Sequence, residues 1–150
     1  MVRSALTMSP ILYWTLLILT CGYALYRGGR YERLIAIVCI VGTIATVAVN
    51  SPLNRMYVHV EGGALLVDVA VLLAFVAIAL VSDRFWPLWV AGLQLTTSAA
   101  HFLKAIDPHL VPLAYGAAVR FWSYPILLIL AMGVWRHQNR HVREASSTLA

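Results

Sequence analysis

The chain has 150 residues, 61% of them hydrophobic and only 11% charged, against the ~45–50% apolar content of ordinary soluble domains. That much oil excludes a water-soluble fold. The net charge of +5 would suit nucleic acid, but the basic residues stand beside apolar runs, which points them at anionic lipid headgroups instead.

A bilayer core takes about 20 mainly apolar residues per helix, and five segments qualify in chain order: about 10–26, 33–50, 63–82, 85–104 and 112–135. Each is expected to be helical, because a lone strand in hydrocarbon leaves its backbone groups unpaired and the alternation of a membrane barrel is absent. The expected fold is therefore all-α, a polytopic membrane helical bundle over residues 1–135 followed by a basic cytoplasmic tail, 136–150. In the first segment, "ILTC" before Gly22 resembles a lipoprotein processing site. Leu19 and Thr20 are too bulky for one, so the segment reads as a retained span. The "RGGRYER" link after it carries arginines that read as a membrane-surface anchor. Between the third and fourth segments, Asp83 is a plausible N-cap and places Pro87 in the first turn of the next helix.

Lys and Arg counts set the orientation. Arg27, Arg30, Arg33, Arg84, Arg136, Arg140 and Arg143 fall on one side, and Arg3, Arg55 and Lys104 on the other. The positive-inside rule then puts the N-terminus outside and the C-terminus inside, as an odd number of crossings requires. Tyr13, Trp14, Tyr57, Tyr115 and Trp122 would mark the outer interface.

The polar groups inside the spans carry the functional question. Asp68 interrupts "ALLVDVAVLLAFVAIALVS". Folding the chain at the short turn near Asp83 brings it level with residues 99–101, where His101 lies. On the fourth segment Gln94, Thr97, Ser98, His101 and Lys104 recur at intervals of three and four, a polar stripe on one helical face. Arg120 enters the fifth span at a similar depth. An isolated charge at mid-membrane costs about 2.5–3.5 kcal/mol on insertion scales, so Asp68 is expected to face the bundle interior and pair with His101, Arg120 or both. Asn50, His59, Glu61, Asp107, His109 and Tyr115 would rim the same outer end. As a functional site, Asp68, His101, Arg120, Gln94, Ser98, Lys104 and Tyr115 would bind a ligand or relay a proton. As architecture, Asp68 and Arg120 would form an ion pair that fixes helix register.

Other chemistries have weaker signatures. His59, His101 and His109 are the candidate metal ligands, but no HxxxH or HExxH motif frames them. His137 and His141 are spaced i, i+4 in what reads as the exposed tail. Cys21 and Cys39 fold to similar depths across the first hairpin and read as packing residues. No GxSxG and no phosphate-binding glycine loop occurs, so no catalytic constellation is complete, and no cofactor is implied.

The run "VDVAVLLAFVAIALVSDRFWPLWVAGLQLTTSAAHFLKAIDPHL", followed by "RFWSYP", resembles a group of small uncharacterised polytopic membrane proteins of alphaproteobacteria. That resemblance covers the third to fifth spans and implies packed transmembrane helices, without an assigned activity. Short loops and the lack of a soluble domain suit a bacterial inner-membrane accessory or assembly subunit, held by lipid and by a membrane-protein partner or a second copy of itself. The alternatives are a proton-coupled carrier or small-molecule binding protein with an outward-facing polar site, and an outer-face metalloenzyme.

Overall fold

A computed structural model describes residues 10–49, 60–106 and 112–147, with side chains described within 11–49, 63–103 and 123–140. The described residues are all helical or in short turns, with no strand: α1 Pro10–Arg27, α2 Arg30–Val49, α3 Val60–Val81, α4 Trp86–Ile106 and α5 Pro112–Ser147. Two of them, Arg30–Val49 and Gly63–Val81, hold windows long and apolar enough to cross a membrane, with mean hydropathies of 2.0 and 2.9.

The helices close into a ring. α1 packs on α2, α2 on α3, α3 on α4, α4 on α5, and α5 returns to α1. Sequential neighbours are antiparallel: Tyr13 near the start of α1 meets Thr43 late in α2, and Tyr31 at the start of α2 donates to the Val81 carbonyl at the end of α3. Closing a ring of five leaves one parallel pair, α1 and α5. Tyr13 stacks edge-on against Tyr124, and ten residues further along α1, Tyr23 reaches Gln138.

Two links are tight for different reasons. Between α1 and α2 the chain turns at Gly28 and Gly29. A Cβ on Gly28 would collide with the Ala24 carbonyl, and one on Gly29 would lie 2.8 Å from the His137 ring. The Gly29 carbonyl accepts from the Arg33 N–H, the first helical bond of α2, so Gly29 is its N-cap. Between α3 and α4, helix α4 begins at Trp86 rather than just after Asp83. The cap expected at Asp83 is replaced by the Ser82 hydroxyl accepting from the Arg84 N–H and by the Phe85 carbonyl accepting from the Leu88 N–H. Pro87 still falls in the first turn, where its missing N–H costs nothing.

Inside the ring, Leu17, Ala24, Ile35, Phe75, Val90, Leu130 and Val134 form the apolar core. Gly42 lets α2 approach α3 closely, because a Cβ there would stand 2.7 Å from the Val71 methyl. Gly42→Ala should therefore cost about 1–3 kcal/mol through overpacking. In the Gly42→Ala, Val71→Ala pair most of that loss should return. A double-mutant cycle in thermal unfolding checks this, with additive losses counting against the contact.

Outward, the helices are oily. Leu66, Val69, Leu73, Val76 and Leu80 form an exposed stripe at helical period on α3, and Leu34, Ile37, Val41 and Ile44 do the same on α2. The last helix outruns the ring. At 36 residues it spans about 54 Å at 1.5 Å per residue, so residues expected as a separate tail from 136 onward continue it as helix through Ser147.

Candidate functional site

Helix α3 carries Asp68 on its ring-facing side, and the polar stripe of α4 faces it. The Gln94 amide donates to Asp68 Oδ1 at 3.2 Å, and the Ser98 hydroxyl donates to the Asp68 carbonyl at 3.4 Å. Asp68 Oδ2 is buried and receives no aligned hydrogen bond. His101 Nε2 faces it at 2.9 Å, an ion-pair contact when the imidazole carries its second proton. Gln94, Ser98 and His101 follow each other at intervals of four and three, so one α4 face delivers all three to one α3 residue.

This pair stands in the wall of a cavity of about 480 Å³ inside the ring, within the ~300–1,000 Å³ typical of small-molecule sites. All five helices contribute. Tyr13 and Trp14 come from α1, Thr43 and Thr46 from α2, Phe75 with Asp68 from α3, Thr97 with His101 from α4, and Ser123 and Tyr124 from α5. Tyr13 sits edge-on to both Trp14, at a centroid distance of 6.4 Å, and Tyr124, at 6.0 Å. Tyr13 also shares a 3.1 Å hydrogen bond with Thr43. Pro125 lies within the continuous helix α5, between the lining residues Tyr124 and Ile126. Its missing N–H leaves the carbonyl four residues earlier without its helical donor.

Of the residues expected at the site, the structure brings Asp68, His101, Gln94 and Ser98 together. The side chains of Arg120, Lys104 and Tyr115 lie outside the described residues, as do His59 and His109. Among the described residues no three His, Cys, Asp or Glu side chains gather as a metal site. The Cys21 and Cys39 thiols are free. Cys39 also reaches the cavity wall.

The opposite end of the ring holds a second polar cluster that sequence reasoning missed. Glu32, only 1% exposed, pairs with Arg84 through Nη1 and Oε1 at 3.4 Å. Arg84 Nη2 stands 3.3 Å from His137 Nδ1. A guanidinium can only donate, so Nδ1 accepts and the ring proton sits on Nε2. Arg84, from the turn between α3 and α4, thus ties the start of α2 to α5. His137 belongs to this half-buried cluster, not to an exposed tail. The available signal was Glu32 itself, an acid among the arginines of "RGGRYER", level with Arg84 once both hairpins are folded.

No family model matches the chain, and neither a curated protein nor a solved structure matches it.

Proposed function

We propose that the chain is a multi-pass protein of the bacterial inner membrane, N-terminus outside and C-terminus inside, that binds a small molecule in the cavity within its helix ring. The membrane reading is supported by the inverted distribution of polarity. The helix window with mean hydropathy 2.9 is only 6% buried, whereas Gln94, Thr97, Ser98 and Glu32 are buried inside. A soluble bundle places these groups the other way round. Lipid is the natural solvent for the exposed leucine and valine stripes, and anionic headgroups suit the flanking arginines.

The observation that carries the binding reading is the Asp68–His101 pair standing in the wall of a roomy cavity. A purely architectural pair would be closed over by packed side chains, as Glu32 is at the other end. An accessory-subunit role draws on the short loops and the incomplete catalytic constellation, to which the structure adds exposed apolar faces that lipid covers equally well.

Ala64, one turn before Asp68, lines the cavity, so Ala64→Trp should fill it. Native mass spectrometry of gently extracted wild-type protein should show a small non-protein mass that Ala64→Trp lacks and that Asp68→Asn, nearly isosteric, retains at less than a tenth of the wild-type occupancy. Wild-type protein that is consistently bare, or a bound mass indifferent to both substitutions, would overturn the reading.

A further inference from the structure

Resting on that binding reading, we propose that the cavity takes a lipophilic monovalent cation and that its entry expels a proton from the Asp68–His101 pair. Three observations carry this. Among the described lining residues Asp68 is the one carboxylate, and no Lys or Arg accompanies it. The neighbouring walls offer aromatic rings from Tyr13, Trp14 and Tyr124, the surfaces that attract a bulky cation by cation–π interaction. And the carboxylate is already held by a group that can release its charge: His101 Nε2 lies 2.9 Å from Oδ2, while Gln94 anchors Oδ1 from the other side.

Charge balance supplies the direction of coupling. A carboxylate beside an imidazolium is neutral overall. Adding a monovalent cation would leave an uncompensated positive charge in a low-dielectric ring, which is costly. Loss of the Nε2 proton to water restores neutrality: cation plus protonated site gives occupied site plus one proton. The bond broken is N–H, and no electrons move. The other described ionisable groups in the walls are Tyr13 on α1, Cys39 on α2 and Tyr124 on α5. All three are neutral when protonated, so they leave this balance unchanged. Cation and proton therefore compete, and linkage makes the antagonism reciprocal.

The probes are tetraphenylphosphonium and tetraphenylborate, matched in shape and opposite in sign. With wild-type protein in detergent, tetraphenylphosphonium should raise the melting temperature and tetraphenylborate should not. Titration calorimetry in two buffers of different ionisation enthalpy should count about one proton released per cation. Affinity should fall about tenfold per pH unit of acidification while the site holds its proton. Asp68→Asn should abolish the preference for positive charge.

Tetraphenylborate binding as well as or better than tetraphenylphosphonium, with Ala64→Trp blocking both, would overturn the cation assignment and leave the binding cavity standing. Cation binding without proton release would overturn the exchange. If neither ion stabilises the protein the proposal fails, and the bound-mass measurement on Ala64→Trp decides separately whether the cavity reading falls with it.

Discussion

Arg84→Leu should destabilise the protein by about 3–5 kcal/mol, the cost of breaking a buried ion pair by removing one partner. Glu32 is 1% exposed and would be left as a carboxylate without its cation. It sits at the third position of α2, where the helix dipole offers partial compensation worth up to ~1–2 kcal/mol, which places the expected loss near the lower end of the range. The loss should also reach α5, because Arg84 is the donor to His137. Replacing both partners, Glu32→Leu with Arg84→Leu, removes the stranded charge along with the pair and should recover most of the stability. Thermal unfolding of the two single variants and the double variant in one detergent checks this. A double variant as unstable as the sum of the singles would mean that the pair does not act as a unit.

Phe75→Ala should cost about 3 kcal/mol. The ring is 1% exposed, belongs to the core of the bundle and also lines the cavity. In water-soluble proteins such truncations cost ~3–5 kcal/mol through lost transfer energy and the void left behind. Within a bilayer the transfer contribution shrinks, since lipid tails are as apolar as the core, and lost packing dominates. Phe75→Leu, which keeps most of the volume, should cost about 1 kcal/mol. The alanine variant should in addition bind tetraphenylphosphonium more weakly, because the enlarged cavity holds the ion less closely. Unchanged unfolding in both variants would show that α3 does not depend on this ring for its place.

The helices were legible in the sequence because their determinants are local. Runs of apolar residues bounded by arginines and prolines put five segments within a few residues of α1 to α4 and the start of α5. The meeting of Asp68 with His101 was legible for a related reason. A turn of only a few residues fixes the register of α3 against α4, and the 3.6-residue period then says which α4 residues share a face. What failed to show was long-range or masked by composition. The α1–α5 contact depends on ring closure between segments more than 100 residues apart, so Tyr124 could not be assigned to the same wall as Tyr13. Glu32 was hidden by its setting, since "RGGRYER" reads as a solvated basic link whereas the close approach at Gly29 carries it inward. The extension of α5 past Trp135 was missed because the sequence turns polar there. Its Arg, Gln and Glu residues are nonetheless good helix formers.

A ring with an odd number of members carries one electrostatic mismatch. Antiparallel neighbours set the positive end of one helix macrodipole beside the negative end of the next, whereas α1 and α5 lie with like ends together, each worth roughly half an elementary charge. The joint between them thus works against mutual repulsion and, among the described residues, is bridged by the Tyr23–Gln138 hydrogen bond and the edge-on rings of Tyr13 and Tyr124. Both rings also border the cavity, so the repulsion between like helix ends acts on a joint that forms part of the cavity wall.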